Sequence, residues 1–171
     1  MFSQDLGIII HQTLKSSQQC VAAANSANRT LGMINRTFVN KHSDIMLRLY
    51  QSLVRPKLEY CVQAWQPYFK KNIDLLEKVQ RRATRLMTSD KSLSYSDRLQ
   101  KFGLTTLETR RLRGDLIEVF KMFKGFYNIM LSLNDFFKLS STTLIGHTLK
   151  IYKPQVHLDV RKFFSQDYRR M

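Results

Sequence analysis

Cysteine is nearly missing from this 171-residue sequence: Cys20 and Cys61 are the only two. They stand far apart and in no Cys-x-x-Cys spacing, which excludes a zinc framework and a disulfide-dense scaffold. Acidic residues are also scarce, 13 against 28 lysines and arginines. No P-loop, dinucleotide-binding Gly-rich turn, Gly-x-Ser-x-Gly elbow or His-Glu-x-x-His helix occurs. The carboxylates sit singly or within basic helix surfaces, where lysine and arginine compete with Mg²⁺, so the sequence predicts no metal site. Cys61 lies in an apolar segment with no histidine near it in sequence and reads as a buried structural thiol, not a nucleophile. No run of roughly 18 apolar residues is present, and the opening residues carry no basic region ahead of an apolar stretch. The expectation is an intracellular protein of the nucleus or cytoplasm, neither secreted nor in a membrane.

What is present is a foldable, strongly cationic chain. Hydrophobic residues make up 43% and charged residues 24%, and the net charge is +15. The composition suits one globular domain, and the charge exceeds what solubility needs, which points to a polyanionic partner.

Six glycines and three prolines punctuate the chain sparsely, and apolar residues recur at helical spacing over most of residues 16 to 124. The fold class expected is mainly α: a helical bundle of about five helices, with a short N-terminal strand and an irregular or β-containing C-terminal tail. The strand is Leu6 to Ile10, which would need a partner sheet. The first helix starts at Ser16 or Ser17 and aligns Val21, Ala24, Ala27, Leu31, Ile34 and Phe38. The second, capped by Ser43, carries the row Ile45, Leu49, Leu53 beside Met46, Tyr50, Val54 and stops or kinks at Pro56. Trp65 anchors the corner that follows.

The third helix, about Asn72 to Met87, separates two chemistries. Leu75, Leu76, Val79, Ala83, Leu86 and Met87 fall on one side, and Lys71, Lys78, Arg81, Arg82 and Arg85 on the other. Asp74 and Glu77 sit in the first turns, where the helix dipole favours them. A shorter helix through Tyr95 and Leu99 stops at Gly103. The last runs from Thr105 or Thr106 to about Lys124, with the stripe Leu112, Leu116, Val119, Phe120, Phe123 and a second basic edge through Arg110 and Arg113. Beyond Gly125 the pattern weakens, with one or two strands expected around Gly146.

In order, the blocks at residues 5–10 (DLGIII), 17–20 (SQQC), 53–65 (LVRPKLEYCVQAW), 75–87 (LLEKVQRRATRLM), 93–99 (LSYSDRL), 104–122 (LTTLETRRLRGDLIEVFKM), 146–150 (GHTLK) and 159–166 (DVRKFFSQ) resemble reverse transcriptases of non-LTR retrotransposons. The likeness is to the segment after the catalytic core in the chicken-repeat-1 and jockey-like LINE kind. It implies three parts: 1–12, a remnant of the strand leaving the palm; 13–124, a thumb-like helical domain; and 125–171, a loosely packed C-terminal extension. The family's Tyr-x-Asp-Asp hairpin, which holds Mg²⁺, would precede Asp5. The resemblance therefore implies no catalytic residue and no cofactor in this chain, Mg²⁺ belonging to the missing palm. Ile145 stands where similar sequences often carry arginine, residues 125–143 fit poorly, and the chain diverges after Gln166.

The resemblance implies a fragment of an RNA-directed DNA polymerase, inert alone, whose thumb contacts the phosphates of the RNA or DNA template–primer. Lys78, Arg81, Arg82, Arg85, Arg110 and Arg113 are the residues expected to make that contact. The absent palm is the expected protein partner, and apolar surface exposed without it invites self-association. Two other readings compete: a stand-alone basic helical nucleic-acid-binding protein, and a degenerate element copy without function.

Overall fold

The computed structural model describes residues 2–11, 15–126 and 152. The chain divides into two compact units, Met1–Arg111 and Leu112–Met171. The described residues are mainly helical, as the periodicity predicts. The strands expected around Gly146 lie outside them.

The N-terminal strand differs from expectation. Strands β1 (Phe2–Asp5) and β2 (Ile8–His11) form an antiparallel hairpin closed by the pair Asp5 and Ile8. Leu6 and Gly7 are the turn and not part of a strand, with φ of 45° and 81°. Two positive φ values make a type I′ turn, whose twist suits the flanking strands. Glycine adopts this freely, whereas Leu6 does so at a cost of about 1–2 kcal/mol. The Tyr60 hydroxyl donates to the Leu6 carbonyl (3.2 Å), holding the turn. The partner that a lone strand would need is thus supplied by the chain itself.

Helix α1 (Ser17–Thr37) lies against the helical segments 55–59 and 70–87. Its buried line is Cys20, Ala24, Ala27, Leu31 and Ile34, with Ala23 beside it, while Val21 and Phe38 are exposed. The predicted row therefore holds at Ala24, Ala27, Leu31 and Ile34 and fails only at its ends; at residues 20 and 21 two apolar side chains are adjacent, and packing turns in the smaller Cys20, which lets backbones approach. Gln19 is buried as well, and its Oε1 accepts the Ile9 N–H (2.9 Å), tying the hairpin to α1.

Pro56 does not stop the second helix. Helix α2 (Ser43–Leu49) runs into a π-helical turn (Tyr50–Val54) and then α3 (Arg55–Glu59). The Arg55 N–H reaches back five residues to the Tyr50 carbonyl. The widened turn accommodates the missing N–H and the ring of Pro56 one residue later. Of the two predicted rows, Met46, Tyr50 and Val54 are core, and Ile45 and Leu53 are exposed. Helix α4 (Val62–Trp65) is entered through Cys61 at φ 49°. That left-handed residue leaves Cys61 exposed instead of buried, while Val62 and Trp65 turn inward. Trp65 is the expected anchor, its indole N–H donating to the Tyr60 carbonyl (2.9 Å).

Helix α5 (Lys70–Met87) buries Leu76, Val79, Ala83 and Met87, each large apolar side chain contributing about 1.5–3 kcal/mol. Asn72 on α5 donates to the Ser17 hydroxyl at the start of α1 (2.9 Å). Helix α6 (Tyr95–Lys101) opens with a capping box in which the Asp97 N–H donates to Ser94 Oγ and the Ser94 N–H to the Asp97 carboxylate. Gly103, at φ 60°, ends it. Helix α7 (Leu107–Phe123) starts after Thr106, whose hydroxyl accepts the Thr109 N–H (3.1 Å). The core cluster of the first unit runs from Ile8 to Leu107.

In α7 the predicted apolar stripe is corrected. Val119 is buried, Leu112 and Phe123 are half-buried, and Leu116 and Phe120 are exposed. Burial along α7 instead follows the four-residue row that holds Leu107, Arg111 and Val119.

Candidate nucleic-acid interface

Residues three and four apart on a helix share a face. Lys78, Arg81, Arg82 and Arg85 therefore form one patch on α5, held outward because Leu76, Val79, Ala83 and Met87 are held inward. All four are exposed, and among the described residues none makes an ion pair. They line a half-open recess of about 320 Å³ together with a fifth cation, Arg98 of α6.

Arg98 was not among the expected contact residues. It is only 5% exposed, and its fork is fixed by two neutral acceptors. Its Nε donates to Thr84 Oγ1 (3.2 Å) and its Nη1 to the Leu93 carbonyl (2.6 Å). Thr84 Oγ1 donates in turn to the Arg81 carbonyl (3.1 Å), so a single hydroxyl joins the two helices. The Tyr95 ring meets both cations, 4.7 Å from the Arg81 guanidinium and 5.6 Å from that of Arg98. A cation over an aromatic face is attracted by the ring quadrupole, and here that attraction aims Arg81. The signal for Arg98 was its place three residues after Tyr95 and beside Leu99, on the inward side of a short helix.

Behind this face lies a buried polar hub. Gln80 is fully buried: its Oε1 accepts from the Tyr50 hydroxyl (2.5 Å), and its Nε2 donates to the Thr105 carbonyl (2.9 Å) and the Tyr95 hydroxyl (3.0 Å). The Glu77 carboxylate accepts from the Tyr95 hydroxyl, from Gln80 Nε2 (3.3 Å) and from the Leu107 N–H (3.0 Å). Glu77 is thus not the surface acid that its place in the first turns of α5 suggested. It is 6% exposed and caps the N-terminus of α7, where an anion offsets unsatisfied N–H groups. Burial and the Glu77 hydrogen bond push the Tyr95 hydroxyl well above its ordinary pKa, and burial does the same to Tyr50. Burial lowers the pKa of Arg111, a shift that Glu77 opposes most strongly among its charged neighbours. The clue to Gln80 was a lone amide in the line Leu76, Ala83, Met87.

The remaining expected residues stand elsewhere. Arg110 is held by Glu59 in a fork, Nε to Oε1 at 2.6 Å and Nη2 to Oε2 at 3.3 Å, and that bond raises its pKa further. Its donors are therefore partly committed. Arg113 is exposed and belongs to the second unit. Among the described residues no group of histidine, cysteine and carboxylate side chains could hold a metal ion, and no helix is long and apolar enough to cross a membrane.

The arrangement can bind an oxyanion. It offers convergent N–H donors on two helices, and no carboxylate lines the recess to compete for them. Compared with protein-family models, with curated proteins and with solved structures, the chain matches none.

Proposed function

We propose that the chain is a thumb-region piece of a non-LTR retrotransposon RNA-directed DNA polymerase, gripping the template–primer backbone through the outer face of α5. The observation that carries this reading is the set of unpaired cations Lys78, Arg81, Arg82 and Arg85 converging with Arg98 on one recess. The ordered sequence blocks support it independently. A thumb must hold any sequence, so its contacts go to phosphate and sugar. The catalytic carboxylates and their Mg²⁺ belong to the palm, which is the protein partner in this reading, and the chain alone does no chemistry.

The test is fluorescence anisotropy on RNA·DNA hybrids of unrelated sequence over a salt series. Each phosphate contact contributes about 0.9 to the slope of log K against log salt. Replacing Arg81, Arg82 and Arg85 together with glutamine should weaken binding about equally for every sequence and lower the slope by about 3. Arg110→Gln should change less, its guanidinium being held by Glu59. Unchanged affinity and slope in the triple variant would refute the reading, and polymerase activity of the purified chain would refute its inertness. A second reading, a stand-alone binder using the same face, draws support from the core of Met1–Arg111, which runs unbroken from Ile8 to Leu107. Tight binding at physiological salt without any palm would favour it.

A further inference from the structure

A guanidinium taken out of water costs several kcal/mol unless an anion or a full set of acceptors compensates it. Arg98 is 5% exposed, and its bonds go to a hydroxyl and a carbonyl, both neutral. Among the described residues no carboxylate pairs with it. Lys78, Arg81, Arg82 and Arg85 open onto the same recess, and like charges so placed repel one another. A recess of this charge is stabilised by a polyvalent oxyanion, and because Arg98 is the most buried of the five cations that line it, an anion that reaches Arg98 must enter the recess.

A phosphodiester inside a strand carries one charge and is flanked on both sides by sugar, so it can only pass over the rim. A terminal phosphate monoester carries nearly two charges and three acceptor oxygens and is free on one side. It can enter end-on and present oxygens to Arg98 below and to the rim cations around it. About 320 Å³ lies at the small end of ligand pockets, room for a phosphate and the sugar that bears it.

We infer that the recess between α5 and α6 is a pocket for the terminal phosphate of a nucleic-acid strand, with Arg98 at its floor and Arg81, aimed by Tyr95, on its wall. The inference rests on the nucleic-acid reading given above and deepens it. Arg82, Arg85 and Lys78 guide the strand end to the pocket, and Arg98 supplies the discrimination. The chain would then sense where a strand ends as well as hold its backbone.

The experiment measures the affinity of the full chain at about 0.15 M salt for one oligonucleotide in three forms: 5′-phosphate, 3′-phosphate and hydroxyl at both ends. One phosphorylated end should bind about tenfold more tightly than the hydroxyl form, the equivalent of one good charge-assisted contact. Arg98→Met should abolish that preference. Arg81→Gln, a change at an exposed position on the pocket wall that leaves the core untouched, should reduce it even if the Arg98 variant fails to fold, whereas Arg85→Gln should weaken all three forms alike. Equal affinity for all three forms, with binding retained, would overturn the pocket and leave a continuous backbone track. Displacement of the strand end by inorganic phosphate alone, as effectively as by a nucleoside monophosphate, would overturn the strand-end assignment in favour of free phosphate. No binding of any oligonucleotide would overturn the underlying reading, and the pocket assignment with it.

Discussion

Glu77→Gln tests whether the buried hub holds the basic face in place. The substitution keeps the shape of the side chain and exchanges one acceptor oxygen for a donor. Three donors meet the carboxylate in the structure: the Tyr95 hydroxyl, Gln80 Nε2 and the Leu107 N–H. A glutamine whose oxygen stays on Leu107 must turn its NH₂ toward Tyr95 and toward Gln80 Nε2, where donor meets donor. Hydrogen bonds to a charged group contribute about 1.5–3 kcal/mol, and neutral ones about half that. One bond weakened and one lost, with the compensating charge for Arg111 removed, come to about 3 kcal/mol. For a unit of this size that lowers the melting temperature by about 12 °C or more. Urea unfolding followed by circular dichroism at 222 nm should show the midpoint falling while the slope is kept. Asp44→Asn, at an exposed acid, should stay within about 0.5 kcal/mol. An unchanged midpoint for Glu77→Gln would refute the claim that this carboxylate ties α5 to the start of α7.

Other outcomes follow from single features. Gly103→Ala meets no atom within 4 Å, so only its φ of 60° resists the substitution, and the loss in urea stability should be about 1 kcal/mol, less for asparagine. Thiol labelling of the native chain at neutral pH should modify Cys61 alone, since Cys61 is exposed and burial pushes the Cys20 thiol up to about 11; equal rates at both would show that α1 does not bury Cys20. Stability should also fall in alkali. The Cys20 pKa rises from 9.0 to about 11 on folding, so its contribution is complete below pH 9 and is lost as pH climbs to about 11. The raised Tyr50 and Tyr95 hydroxyls act in the same direction at higher pH. A urea midpoint that stays flat from pH 8 to 11 would contradict this.

Much of the fold was legible because helices announce themselves locally. The apolar spacing of α5, the stop at Gly103 and the Trp65 anchor all follow from interactions within a few residues. So did the cationic face, since three- and four-residue spacing alone puts Lys78, Arg81, Arg82 and Arg85 together. The failures share one cause. The turn at Leu6 and Gly7, the burial of Cys20 in place of Val21 on α1, the π turn before Pro56 and the exposure of Cys61 each depended on a choice between locally similar alternatives. Glu77 and Arg98 look like surface charges in the sequence, and only their partners on other helices reveal a buried cap and a pocket floor.

A helical, strongly basic chain with one cation-bearing helix face can be read from the order of its residues, because charge and helical period are properties of neighbours. Which of those cations remain without an ion pair is set by packing between helices. That packing gave Arg110 to Glu59, brought Arg98 beneath the α5 patch and set Glu77 behind it, because ion pairing and desolvation are fixed by groups that lie far apart in the chain.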